Sequence, residues 1–227
     1  MCSRQVFAAS EEIAGAFNII DEAQQDEVTN GAPTDATPII TMQEPNKLQY
    51  FRWGFPWFAQ DGRQNLTTCI RSETANQKFK RLMNKKNRCL SISKGFLEFA
   101  KITKDPYYFK ANDQPYTVIA ALWDNAPEVK TGINEFRYAI LTTAPNNLVA
   151  KTHDRMPVIL NKEAQATWMN PDATDEELLA LFVAYDQNCM EVKITSKKIN
   201  NSRNKNVKLN NLRDPDDQPN FHQGSLF

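Results

Sequence analysis

Short segments typical of β-strands follow one another through the middle of the chain and constrain the fold more than any other feature. Between residues 88 and 160, short runs rich in apolar residues have the length and composition of strands. The pattern predicts six strands there, over residues 89–93, 95–102, 107–111, 117–122, 136–142 and 156–160. Most of the core must therefore come from a sheet.

Shorter signals on either side of this region add a few strands and helices. Further strands are predicted over 38–42, 48–55 and 190–195, with a loop over 30–35. Helices are predicted after Ser10 as N-cap, from a Thr74–Gln77 capping box to residue 84, after Asn161 to residue 169, and from a Thr174–Glu177 capping box to residue 185. The sequence predicts one α+β domain over 1–213, a strongly curved, barrel-like, mostly antiparallel sheet flanked by short helices, and a polar tail over 214–227.

Charge is unevenly distributed along a chain of zero net charge. Residues 71–104 carry ten lysines and arginines against two acids, and residues 193–213 carry seven and no acid. Two basic stretches on a neutral protein favour a directional electrostatic surface, such as one for a nucleic-acid backbone. The alternative is that they are the solvated faces of helices and strands.

Cysteine and histidine usage excludes two classes of small protein. The 227 residues contain four cysteines, none in a CxxC pair, and two histidines. That is neither a disulfide scaffold nor the spacing of a zinc site, so we expect no metal and no organic cofactor. The start of the chain lacks a signal-peptide pattern, and no apolar run approaches the ~18 residues of a membrane span. A cytoplasmic monomer is expected.

Cys2 is the residue with the most distinctive chemistry. Once Met1 is removed, Cys2 carries a free α-amine and a thiol, with ordinary pKa values near ~8 and ~8.5. The amine can capture an aldehyde as a Schiff base, which the thiol then closes into a five-membered thiazolidine. Alternatively, the thiolate attacks an acyl group, as in a cysteine peptidase.

Four groups of residues, in order along the chain, resemble one known family. They are Met1-Cys2-Ser3-Arg4; Trp53-Gly54-Phe55-Pro56-Trp57; Arg71-Ser72-Glu73-Thr74 with Arg88-Cys89-Leu90 and Gly95-Phe96-Leu97-Glu98-Phe99; and His153-Asp154-Arg155-Met156-Pro157. Together they resemble the SRAP (SOS-response-associated peptidase) family over about residues 1–213. The resemblance implies a single barrel-like domain that binds single-stranded DNA and captures abasic sites through Cys2 as a reversible crosslink. Autoproteolytic or cysteine-type peptidase activity, and DNA binding without catalysis, remain alternatives.

The resemblance also implies roles for particular side chains. Glu98, within an apolar segment, is expected to have a raised pKa suited to general acid–base catalysis, and His153 is expected to shuttle protons. Arg4, Arg71 and Arg155 are expected to bind DNA, with guanidinium groups on phosphates. Trp53 and Trp57 either stack on unpaired bases or pack in the core.

One position departs from the family pattern close to the expected site. The family has asparagine two residues before the conserved arginine, where this chain has Cys69. A thiol is a much weaker hydrogen-bond donor than an amide, so we expect less precise placement of Cys2 and slower crosslinking. Cys69 would also bring a second thiol close to Cys2, and oxidation would then join the two.

Overall fold

The computed structural model describes residues 3–84, 87–127, 132 and 134–209. Its strands are β1 (Arg4–Phe7), β2 (Ile20–Asp21), β3 (Val28–Gly31), β4 (Ala36–Thr41), β5 (Lys47–Trp53), β6 (Phe55–Phe58), β7 (Gln64–Thr67), β8 (Cys69–Arg71), β9 (Arg88–Ser93), β10 (Gly95–Phe99), β11 (Pro106–Ala111), β12 (Thr117–Pro127), β13 (Asn134–Thr143), β14 (Met156–Pro157) and β15 (Met190–Ile194). Its α-helices are α1 (Ser10–Phe17), α2 (Ser72–Lys78), α3 (Lys80–Asn84), α4 (Asn147–Ala150), α5 (Lys162–Met169) and α6 (Asp175–Ala180).

Five strands close into a ring through their backbone hydrogen bonds. β13 pairs with β12, β12 with β9, β9 with β4 and β4 with β5, all antiparallel. The ring closes where β5 pairs with β13 in parallel, with Trp53 opposite Tyr138. The predicted α+β fold with a curved, barrel-like, mostly antiparallel sheet is therefore confirmed.

A second sheet of five strands packs against this barrel. Its order is β15-β11-β10-β1-β3, and each neighbouring pair is antiparallel. Phe96 and Phe109 on this sheet belong to the same buried cluster as Tyr138 and Ile140 of the barrel. One core cluster therefore lies between the barrel strands and the second sheet, and a second cluster of similar size lies between the barrel strands and the helices.

Gly95 allows two strands of the second sheet to approach closely. A Cβ atom at this position would lie 2.4 Å from the carbonyl oxygen of Phe109 and 2.6 Å from the ring of Tyr108. Any side chain at residue 95 would push β11 away from β10. The absence of a side chain at Gly95 thus allows β11 to lie close against β10.

Helix predictions were correct in position but only partly in capping. The Asn161 side chain accepts from Ala164 N, and the Thr174–Glu177 capping box forms, although α6 ends at Ala180 instead of residue 185. Ser10 does not cap α1, because Ala9 is the N-cap and the Ser10 hydroxyl accepts from Gln25 N at 2.8 Å.

The predicted capping box of the basic helix was wrong. The helix begins at Ser72 after Arg71 as N-cap, and the Thr74 hydroxyl donates to the Arg71 carbonyl. It also breaks at Phe79, so that the single helix expected to residue 84 is two short ones.

Most predicted strands are present, with ends that differ from the prediction. The strand predicted over 117–122 extends to Pro127, and that over 136–142 runs from Asn134 to Thr143. The strand predicted over 95–102 stops at Phe99, and that over 156–160 is reduced to Met156–Pro157 with an isolated bridge from Ile159 to Ile119. Asn30 and Gly31, expected in a loop, belong to β3. In the described part of the chain, no helix has the length and apolar character needed to cross a membrane. The predicted tail from residue 214 lies outside the described residues, and the domain boundary at 213 stays a prediction.

Candidate functional site

Strand β1, which follows Cys2 in the chain, lies beside β10, the strand that carries Glu98. Cys2 itself lies outside the described residues. β1 begins two residues later, at Arg4, which lies opposite Leu97 on β10. Glu98 is the next residue along β10. The N-terminal end of β1 and Glu98 therefore lie at the same end of one strand pair.

Glu98 is a buried carboxyl group on β10. It is 3% exposed, and within the described residues its Oε1 atom accepts no hydrogen bond. Burial, together with the negative charge of Asp154, raises the pKa of Glu98 to about 7. Acid and carboxylate forms are then present in similar amounts at neutral pH, as general acid–base catalysis requires.

His153 lies in the loop between α4 and β14, and its ring is held by its neighbours. Nδ1 accepts the backbone N–H of Arg155 at 3.0 Å and lies 3.0 Å from Oδ1 of Asp154. Burial of the ring lowers the pKa of His153, which favours the neutral imidazole. With Nδ1 as acceptor, the neutral ring carries its proton on Nε2.

Cys69 is brought close to the same groups by β8. The thiol is 9% exposed, and Sγ accepts from the Thr68 hydroxyl at 3.8 Å. Burial raises the pKa of Cys69 to about 12, and the charges of Glu98 and Arg155 also act on the thiol. Cys69 is therefore a neutral thiol at physiological pH and unsuited to nucleophilic attack. Cys2 lies outside the described residues, so the proposed disulfide between Cys2 and Cys69 stays a prediction.

Arg155 joins this cluster to helix α2. Its guanidinium donates to both carboxylate oxygens of Glu73, at 2.5 and 2.9 Å, and to the Thr142 carbonyl at 2.5 Å. The ion pair lowers the pKa of Glu73 to about 2. We call Cys69, Glu98, His153, Asp154 and Arg155 the site cluster; mutual charges or hydrogen bonds link its members, which come from β8, β10 and the 153–155 loop.

A model of a known protein family matches most of the chain. The family model described as SOS response associated peptidase (SRAP) matches residues 1–202. The chain belongs to the SRAP family.

Proteins named abasic site processing proteins are similar in sequence to this chain. Abasic site processing protein YoqW of Bacillus subtilis (strain 168) is 32% identical over 224 residues, which span 92% of this chain and 98% of the relative. Abasic site processing protein YoaM of the same organism is 29% identical over 222 residues, 92% of this chain and 97% of the relative. Abasic site processing protein HMCES of Xenopus tropicalis is 28% identical over 150 residues, 54% of this chain and 45% of the relative.

Solved structures share the SRAP fold described above. A crystal structure of a protein from Bacteroides thetaiotaomicron has a TM-score of 0.77 at 25% identity, covering 87% of this chain and 93% of that one. A crystal structure of a protein from Bordetella bronchiseptica has a TM-score of 0.72 at 22% identity, covering 86% of this chain and all of that one.

The arginines predicted to bind DNA differ in their availability. Arg71, the N-cap residue of α2, is exposed, and it makes no ion pair with any described residue. Arg4 is half-buried and donates from Nη1 to the Ser3 carbonyl at 2.7 Å. The guanidinium of Arg155 is 12% exposed and occupied by Glu73 and Thr142. DNA binding by these three residues stays a prediction, and Arg71 is the best placed for it.

The two tryptophans of the SRAP motif have different environments. Trp53 is fully buried, its indole N–H donates to the Thr68 carbonyl at 2.9 Å, and its ring stacks on Tyr138. Base stacking by Trp53 is therefore corrected in favour of core packing, the alternative left open by the sequence. Trp57 on β6 is 49% exposed and keeps a face for an unpaired base.

The basic stretches do not form one uniform surface. Arg88 is 3% exposed and donates to the carbonyls of Trp168, Met83 and Asn170, so it serves the core. Lys94 pairs with Glu12 and Glu27, and Arg81 pairs with Asp124. Solvated or locally paired side chains therefore account for part of the excess charge.

Two neighbours of the site cluster escaped sequence reasoning. Glu73 is 82 residues from its partner Arg155 in the chain, and no local spacing indicates the pair. Gln5 on β1 is completely buried, with its Oε1 accepting from the Ser91 hydroxyl at 3.3 Å. In β1 the polar Gln5 precedes two apolar residues, but a segment of four residues is too short to be recognised as a strand by its periodicity.

Proposed function

We propose that this protein binds single-stranded DNA and captures abasic sites covalently through Cys2 once Met1 has been removed. Its SRAP membership supports the proposal, as do relatives named abasic site processing proteins that align over almost their whole length. The product is a DNA-shielding crosslink. A monomeric state and a cytoplasmic location are part of the same proposal.

The observation that carries the proposal is the burial of Glu98 beside the N-terminal end of β1. Its Oε1 atom has no hydrogen-bond partner among the described residues. An aldehyde-capturing amine needs a group that first accepts and then returns a proton. Glu98, with a pKa of about 7, satisfies both requirements at neutral pH. Its position beside the strand that begins two residues after Cys2 supports a role for Glu98 in acid–base chemistry on the amine.

The bonds of the proposed reaction balance without a cofactor. The Cys2 amine adds to the aldehyde carbon of the ring-opened abasic sugar, and the carbinolamine loses water to give a Schiff base. The Cys2 thiol then adds to the carbon of the C=N bond, and its proton goes to the nitrogen, closing the thiazolidine. Glu98 takes the amine proton and returns it to the departing hydroxyl group.

His153 suits the sugar side of the same reaction. Its neutral ring carries a proton on Nε2, because Nδ1 accepts the Arg155 N–H. We propose that His153 exchanges a proton with the sugar oxygen during ring opening, and again when the crosslink reverses.

A denaturing gel tests the proposed function directly. The protein is incubated with single-stranded DNA containing one abasic site, and a control strand retains the base. A denaturation-resistant shifted band is expected for wild type and for Cys189→Ala, a matched change of a half-buried cysteine outside the site cluster. Cys2→Ala should give no band. Binding without a band in wild type would support a non-catalytic DNA-binding protein.

Two further measurements separate the peptidase alternative. Intact-mass spectrometry should show that Met1 is absent from the folded protein, since a retained methionine blocks the amine. A general peptide substrate should remain uncut. Peptide cleavage that depends on Cys2, without a DNA adduct, would identify a cysteine peptidase instead.

A further inference from the structure

The guanidinium of Arg155 is held by hydrogen bonds within the protein, although this arginine is expected to meet DNA. Both carboxylate oxygens of Glu73 and the carbonyl of Thr142 accept hydrogen bonds from its guanidinium, and the side chain is 12% exposed. A bidentate arginine–carboxylate pair fixes direction as well as distance. Helix α2, strand β13 and the 153–155 loop are thereby tied together at one point.

The backbone of Arg155 holds the imidazole. Its N–H donates to Nδ1 of His153 at 3.0 Å, while Nδ1 lies 3.0 Å from Asp154 Oδ1 and 3.3 Å from the Arg155 carbonyl oxygen. The neutral ring uses the N–H as donor, and the protonated ring uses the two oxygens as acceptors. The position of the Arg155 backbone therefore decides which protonation state the ring prefers.

We propose that Glu73 is a positioning residue for His153 and acts through Arg155. By anchoring the guanidinium, Glu73 holds the Arg155 N–H against Nδ1 and keeps the His153 proton on Nε2. The catalytic consequence rests on the proposed function, because it assumes that His153 exchanges a proton with the sugar. The positioning itself does not, and it can be measured on the protein alone.

Charge and position predict opposite results when Glu73 is changed. Among the described residues, the charged groups that act on His153 include Asp154, which raises its pKa, and Lys101, which lowers it. If Glu73 acted only through charge, Glu73→Gln would leave Arg155 unneutralised and lower the pKa of His153 further. If Glu73 acts by position, the ring loses its N–H donor but keeps the Asp154 acceptor, and the pKa rises.

Nuclear magnetic resonance on the full chain tests the proposal, because the sequence has only two histidines. The pKa and the tautomer of His153 are measured by titrating its ring signals in wild type and Glu73→Gln, with His222 as internal reference. We expect a raised pKa and a mixture of the two neutral tautomers in Glu73→Gln. A pKa that falls or stays unchanged, with Nε2 still protonated, would overturn the proposal.

A second variant keeps the charge and changes only the reach. Glu73→Asp shortens the side chain by one methylene, so that charge alone predicts no change in His153, whereas positioning predicts a change in the same direction as Glu73→Gln. This variant also serves if Glu73→Gln fails to fold. Glu11→Gln, which removes an exposed acid from the first turn of α1, is the matched control and should leave both histidines unchanged.

The rate of crosslink formation separates this proposal from the proposed function. A misplaced catalytic group commonly lowers a rate about tenfold to a hundredfold, so Glu73→Gln should form the adduct that much more slowly, with an altered pH profile. If wild type forms no adduct, the proposed function fails while the NMR result stands. If wild type forms the adduct but the variant shows wild-type NMR and rate, the positioning role fails.

Discussion

Gln5 and Glu98 point to the same face of the second sheet, and each ends in a buried polar atom that no described residue satisfies. Gln5 lies opposite Phe96 in the β1–β10 pair, and Glu98 is two residues further along β10. The unpartnered atoms are Nε2 of Gln5, a donor, and Oε1 of Glu98, an acceptor. Buried polar atoms in native proteins almost always have partners. This face therefore offers one donor and one acceptor to water or substrate.

Glu98→Gln should change how stability depends on pH. The folded protein binds the Glu98 proton more tightly than the unfolded chain, because its pKa is about 7 instead of 4.5. This contribution is fully present below about pH 4.5 and is lost as the pH rises through about 7, a change of about 3 kcal/mol. Thermal melts should therefore show that the melting temperature of Glu98→Gln, relative to that of wild type, is higher at pH 8 than at pH 5. The same difference in melting temperature between variant and wild type at both pH values would contradict a raised pKa of Glu98.

Glu98→Gln should also slow crosslinking by about a hundredfold or more.

The two tryptophans of the SRAP motif should separate binding from stability. Trp57→Ala should weaken binding to single-stranded DNA by about 1–3 kcal/mol, with an unchanged melting temperature, if the exposed ring stacks on a base. Trp53→Ala should cost about 3–5 kcal/mol of folding free energy, since its buried ring packs on Tyr138. Fluorescence anisotropy and urea unfolding on both variants provide the comparison. A Trp57 variant with normal affinity would exclude that ring from the DNA surface.

The sheet-rich fold could be predicted from the sequence, because the signals for strands and helix caps are local. The short apolar runs of β9, β11 and β12 and the capping residue Asn161 are visible within a few residues, and the structure contains each of these elements. The site cluster depends on long-range pairing instead. β1 is too short to show a period, and the Glu73–Arg155 pair joins residues far apart in the chain. The family motif identified Glu98 and His153, but only the fold shows what surrounds them.

Two arginines of the first basic stretch should respond in opposite ways. Arg71→Ala should weaken DNA binding and reduce the slope of log affinity against log salt by about 1, with little effect on folding, because its guanidinium is exposed. Arg88→Ala should destabilise the fold by several kcal/mol, because three carbonyl groups, two of them in buried hydrogen bonds, lose a charged donor. Salt titrations of binding and denaturant melts check both. An unchanged salt slope in Arg71→Ala would remove this residue from the phosphate contacts.

Cys69→Asn should restore the amide of the SRAP pattern and accelerate crosslinking. An amide beside Glu98 offers a strong donor where the neutral thiol offers a weak one, and the Oε1 atom of Glu98 has no described partner. We expect a rate increase of about tenfold, which corresponds to about 1.4 kcal/mol of barrier. Single-turnover crosslinking with abasic single-stranded DNA measures it. Cys69→Ala, which removes the thiol without adding an amide, is the control and should leave the rate close to that of wild type. If Cys69→Asn crosslinks more slowly than Cys69→Ala, the amide N–H at residue 69 has no acceptor that assists the reaction. Cys69 then belongs to the packing of the barrel, where a buried thiol with a pKa of about 12 is chemically inert.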